Sequence, residues 1–151
     1  MDRQSQKIQR LIELRQKEVD TELSHLAATR REVTRAEGEL TEVRVALQQA
    51  LEERRQMAAT AMDVELWRNQ EEWLETLAVR QTRAANHLAG VKVQERRAVA
   101  KVSLAHKKKK QAEMLMERLQ RAHQLERGRK ERKQEDEIGL RQIMRRRPEE
   151  T

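Results

Sequence analysis

Seven consecutive positions spaced by seven in the second half of this sequence are apolar: Leu77, Ala84, Val91, Ala98, Ala105, Ala112 and Leu119. The first half has its own row of six: Ile12, Val19, Leu26, Val33, Leu40 and Leu47. A seven-residue repeat sustained this long requires helices wound on helices. At 3.5 residues per turn one stripe keeps facing a partner only if the pair supercoils. Function must then be sought on an extended helical surface rather than in a globular pocket.

Composition agrees. The 151 residues include no Phe, no Tyr and two Trp, with 36% hydrophobic and 39% charged residues. A compact core draws on aromatics for bulk, so a globular fold is not expected. High charge and low hydrophobicity also favour disorder, but the periodic stripe argues against that for most of the length. No proline interrupts the 147 residues before Pro148, so nothing of that kind breaks a helix. Without cysteine there are no disulfides or thiolate metal sites, which fits a reducing cytosol. No stretch approaches 18 consecutive apolar residues, and no membrane insertion is expected. The opening MDRQSQKIQR has no apolar core of a secretory signal.

Charge is unevenly placed. Residues 1–75 hold 12 Lys and Arg against 16 Asp and Glu; residues 76–151 hold 21 against 10. The net charges of −4 and +11 make the halves attract when laid side by side. The expected fold is all-α: a long antiparallel two-helix coiled-coil hairpin with a C-terminal helical overhang. Its first helix runs over about 4–57, a turn over about 58–63, and a second helix over about 64–140 with a tail to 151, all one rod. The turn rests on phase. Past Leu47 the first stripe would continue through Arg54, Ala61, Arg68 and Glu75, and it fails. Traced back from Leu77, the second stripe meets Gln70, Asp63, Gln56 and Gln49. Local chemistry adds little: Thr60 and Asp63 make a weak capping-box pattern, and Asp63 is itself a plausible N-cap. Folding at about residue 60 sets residue i opposite 121 − i, placing Val19 level with Val102 and Leu47 level with Leu74. A long parallel dimer is the competing architecture.

No catalytic constellation is present: no phosphate-binding glycine loop, no HExxH, no GxSxG. His25, His87, His106 and His123 are dispersed, with no second His at i+3 or i+4. Neither an enzyme, nor a metal site, nor a cofactor is expected. Lys107 to Lys110 and the cluster Arg127, Arg129, Lys130, Arg132 and Lys133 could grip phosphates. Such runs are more often the solvated faces of basic helices. Stacking aromatics, a recognition helix and a zinc module are all missing, so an acidic protein surface is the better expectation than nucleic acid. Trp67 and Trp73 both lie within ten residues of the expected turn. Spaced by six, they cannot share one narrow stripe. One is expected to close the end of the coiled coil. The other, Trp73 beside the Leu74–Leu77 seam, is expected to stand outside as an interface anchor.

These residues carry a resemblance. Trp67-x-Asn69-x-x-x-Trp73-x-x-Thr76-Leu77 is similar to the pattern that follows the hairpin turn in the FliJ family. Asp136-Glu137-Ile138-x-x-Arg141-x-x-Met144-Arg145-Arg146, followed by Pro148-Glu149, is similar to the acidic pair and basic tail of that family. The chain resembles FliJ proteins and, more loosely, the YscO-like proteins of virulence injectisomes. The tail favours the flagellar branch. The resemblance implies a non-enzymatic cytoplasmic component of type III protein export, associated peripherally with the apparatus at the inner membrane. It implies a central-stalk-like coiled coil that binds the export ATPase, promotes its hexameric ring and links it to the cytoplasmic region of the export-gate membrane protein. Export chaperones are further candidate partners. On that likeness Trp67, Trp73 and Leu77 supply the gate contact at the tip. Arg141, Met144, Arg145 and Arg146 engage the ATPase ring at the terminal end. Family tips often carry aromatics on the first arm, where this chain has Val43, Ala46 and Ala50; the resemblance therefore carries no first-arm contact. A generic coiled-coil scaffold and a basic nucleic-acid-binding helix are the alternatives.

Overall fold

Two long helices follow from the heptads and from the lack of breakers, and a computed structural model of the chain, which describes residues 2–60 and 63–146, contains them. Helix α1 spans Arg3–Ala58 and helix α2 spans Val64–Arg146. No strand occurs among the described residues. The second helix runs six residues past the expected end at about 140. Nothing in Arg141–Arg146 opposes helix, and Arg145 and Arg146 in the last turn complement the negative end of the macrodipole. Ala61 and Met62 of the expected turn, and the tail with Pro148 and Glu149, lie outside the described residues.

Both helices start on an aspartate cap. Asp2 Oδ1 accepts the Ser5 N–H at 2.7 Å, and its carbonyl accepts from Gln6 N–H at 3.2 Å. The Ser5 amide, then the Ser5 hydroxyl and, to a lesser extent, the charge of His123 hold the Asp2 carboxyl below its ordinary value. This cap is therefore complete above the usual carboxylate pKa and fades as pH falls through the lowered one. Asp63 caps α2: its Oδ1 accepts from Glu65 N–H at 3.4 Å and its carbonyl from Trp67 N–H at 3.2 Å. Thr60 works on the other helix, its hydroxyl donating to the Met57 carbonyl at 3.2 Å. Replacing Asp63 with alanine is expected to cost about 0.5–1 kcal/mol, read as a lowered midpoint in thermal unfolding. An unchanged midpoint would mean that α2 starts without this cap.

Residues 18–105 form one compact unit, an antiparallel hairpin around the linker. Its core is the heptad stripe of each arm: Val19, Leu26, Val33 and Leu40 from α1, and Leu77, Val91, Ala98 and Ala105 from α2. Ala36 and Ala50 complete it. Arg30 Nε lies 4.0 Å from Glu95 Oε2, and Arg54 Nη2 lies 3.4 Å from Glu71 Oε1. In each pair the residue numbers add to 125. This register corrects the expected one by about one helical turn. With residue i opposite about 125 − i, Val19 falls within one position of Ala105 rather than at Val102, and Leu47 within one position of Leu77 rather than at Leu74. The reason is interlocking. In antiparallel helices each stripe must fit the holes of its partner, and the repeat of seven permits only certain offsets. The position of the turn alone does not choose among them.

The other unit joins residues 1–17 to residues 106–151. Ala112 and Met116 are buried, with Ile8, Leu11, Ile12 and Leu119 half-buried around them. His123 Nε2 lies 2.8 Å from Oδ2 of Asp2, the residue that caps α1. Beyond it α2 continues as an overhang whose apolar side chains are bare, Leu125 at 66% exposure among them.

Candidate functional site

Among the described residues neither unit encloses a reaction chamber; the hollows along the helices are open to solvent. Among the described residues no cluster of three or more His, Asp or Glu could hold a metal. No helix among the described residues is long and apolar enough to cross a membrane. What the molecule offers is surface, and the residues singled out from the sequence fall on two parts of it.

The first part belongs to the hairpin unit, beside the linker. Trp67 and Trp73 sit on α2 six residues apart, so the helix turns them to different sides. Trp67 is half-buried, with the Arg54 guanidinium 4.2 Å from its ring centroid. Arg54 thus stacks on Trp67 and reaches Glu71 one turn further along, tying the end of α1 to the start of α2. Stacking of this kind contributes about 0.5–2 kcal/mol, more as water is excluded. Trp73 is 43% exposed, and the Arg80 guanidinium lies 5.5 Å from its ring centroid. Leu77 lies elsewhere. At 2% exposure it is one of the two largest fully buried side chains, so it offers no surface to a partner in this structure. One turn from Trp73, it anchors the helix that displays the indole.

Sequence reasoning missed Leu66, which is 50% exposed. It precedes Trp73 by seven residues, two helical turns, and Arg80 follows Trp73 by the same interval. Leu66, Trp73 and Arg80 therefore share one face. That spacing was available in the sequence but belongs to neither core stripe. The Arg54–Trp67 stack was not available, because it depends on the register between the helices.

The second part is the end of α2 in the terminal unit. Arg141, Met144, Arg145 and Arg146 are all helical and exposed, Met144 at 68%. Ile138, Leu140 and Ile143 are between 55% and 59% exposed beside them. Three arginines and a flexible apolar side chain on one bare helical end suit a partner with carboxylates around an apolar spot. Guanidinium forks carboxylates in bidentate fashion, and methionine adapts to uneven apolar surfaces.

A family model described as the flagellar FliJ protein matches residues 4–148 of the chain. No curated protein and no solved structure matches it.

Proposed function

This chain belongs to the flagellar FliJ protein family, a component of flagellar type III protein export, and from that premise we propose that it is the stalk-like partner of the export ATPase. On this reading it works in the cytoplasm, associated peripherally with the export apparatus at the inner membrane. It binds the ATPase, favours the hexameric ring and links that ring to the cytoplasmic region of the export gate. It performs no chemistry of its own. The observation that carries the reading is the family match over 145 of the 151 residues, which takes in both surface patches.

The physical argument is one of mass action. A helix end that binds the assembled ring and not the free subunit shifts assembly by its differential affinity alone. The bare end of α2 supports that role, since Arg141, Met144, Arg145 and Arg146 are exposed to a partner. The bare Trp73 supports the gate contact, with Trp67 and Leu77 holding the helix beneath it. The flagellar description of the matching family favours the flagellar branch over the injectisome one. Export chaperones are further candidate partners.

The direct experiment mixes the chain with its cognate export ATPase at fixed concentration. ATP hydrolysis should rise and hexameric rings should be seen by electron microscopy. Unchanged hydrolysis with no rings would refute the stalk reading and leave a scaffold role. Trp73→Ala separates the other end of the argument. It should weaken binding to the gate's cytoplasmic region by about ten-fold, as expected for an exposed aromatic anchor. Thermal stability should change by less than about 1 kcal/mol, because nearly half of the ring is already in water. A large loss of helicity would make Trp73 structural instead.

A further inference from the structure

Between Leu77 and Ala105, α2 presents apolar side chains in two directions. One row is the core stripe already described. The other occupies three adjoining seven-residue rows on a different side of the helix: 78, 85, 92 and 99; 82, 89, 96 and 103; 79, 86, 93 and 100. Of these twelve positions only Lys92 and Arg96 are charged. A solvated helix face normally carries charge at most such positions, and a helix apolar on two sides normally has two neighbours. Here the second side is bare. Val79 is 50% exposed, Val93 36% and Val99 44%, and Ala89 and Ala100 are exposed as well. The window has ends. The row through Val79 and Val93 has Glu72 before it and Lys107 after it. Its length from Val79 to Ala100 is about 30 Å at 1.5 Å per residue.

The surroundings of this face carry a cation excess: Arg83 and Arg97 flank it on one side, Glu95 on the other, Lys92 and Arg96 stand on the face itself, and Glu72 and Glu75 lie beside Val79 at its start. Residues 77–105 contain six Lys and Arg and one acid, Glu95, which lies 4.0 Å from Arg30. Among the described residues no carboxylate comes within 4.0 Å of Arg83, Lys92, Arg96 or Arg97. We propose that this face of α2 docks an acidic amphipathic helix of another protein, lying along the helix between Val79 and Ala100.

Each observation narrows the occupant. Val79, Val93 and Ala100, interrupted by Asn86, follow the axis of a single helix for three heptads, so the matching shape is another helix packed lengthwise. The cation excess selects carboxylates on its flanks. A second copy of this chain would bring the same excess to an α2–α2 contact. Nucleic acid would satisfy the cations and leave Val79, Val93 and Val99 in water. The proposal does not depend on the ATPase or gate contacts, because it uses neither the Leu66–Trp73 face nor the end of α2.

The test titrates the full chain with three synthetic peptides of equal length. One carries leucines at heptad core positions flanked by glutamates, one has lysines in place of the glutamates, and one is polyglutamate. The Leu–Glu peptide should bind, and each of the other two should bind at least about ten-fold more weakly. Val93→Glu should weaken the Leu–Glu peptide by about ten-fold without lowering the thermal midpoint, since the side chain already faces water. Val79→Asn, a neutral change, provides a second variant with the same expected direction. Equal binding of polyglutamate, unaltered binding to both variants, or stronger competition by duplex DNA would overturn the proposal. So would a dimer of the chain in sedimentation that Val93→Glu dissolves, which would make the occupant a second copy.

Discussion

Leu77→Ala lowers the free energy of unfolding by about 2–4 kcal/mol, the largest effect expected of any single truncation in the hairpin unit. The reason lies in how thin its core is. The stripe of α2 consists largely of small side chains, with Ala98 and Ala105 buried beside Leu77 and Val91. Alanines let the helices approach closely, but each removes little apolar surface from water. The few large side chains must supply most of the burial, and Leu77 at 2% exposure is among the most completely covered. Its removal leaves a void between two helices whose spacing is fixed on either side by the same stripe. Alanine gains a few tenths of a kcal/mol in helix propensity, far less than the loss. Urea unfolding followed by circular dichroism reads the difference. A loss below about 1 kcal/mol would mean that the helices close around the smaller side chain. The contrast with Trp73→Ala is the informative part. Two large apolar side chains one turn apart are expected to respond oppositely, stability failing with one and binding with the other.

On the proposed stalk role, reversing two charges, Arg145→Glu with Arg146→Glu, is expected to abolish stimulation of the export ATPase or weaken it by on the order of ten-fold or more. Both side chains are exposed in the last turn of α2, so no interior packing is disturbed. The change places two carboxylates at the negative end of the helix dipole, which costs about 0.3–1 kcal/mol each. That cost falls on the final turn alone. Total helicity should stay nearly the same while stimulation is lost, a combination that a merely structural role would not give. Replacement of both by lysine keeps the charge but gives up the planar fork, so partial stimulation should survive. Full stimulation by the double Glu variant would move the ATPase contact away from this end of the chain.

The two surfaces differ in how readable they were. That Trp67 and Trp73 face different sides follows from spacing, because two residues six apart on a helix cannot share a narrow stripe, whereas the cover over Trp67 comes from Arg54 of the other helix. Leu77 shows the limit of a motif. It stands in the pattern beside Trp73 as though the two acted together, yet helical phase turns one inward and the other outward. Leu66 is harder to read, because it belongs to neither core stripe and a lone apolar residue on a solvated face carries no periodic signal. The basic end of α2 was legible as residues, though not as helix to Arg146, since nothing in its sequence signals an ordered turn that no partner covers.

The heptads, the absence of proline before residue 148 and the broken phase near residue 60 determined by themselves that this chain makes two long helices and where they part. Those are properties of one strand, encoded within a few turns of each residue. Only the tertiary structure decided the register between the arms, and with it the partner of Arg54 and the exposure of a second face on α2. The main stripe of α2 and its companion stripe through Leu74 lie three to four residues apart, so either can come level with the stripe of α1, and sequence alone leaves both offsets open. The choice falls to interlocking side chains and cross-helix pairs such as Arg30–Glu95, which exist only once both helices are in place.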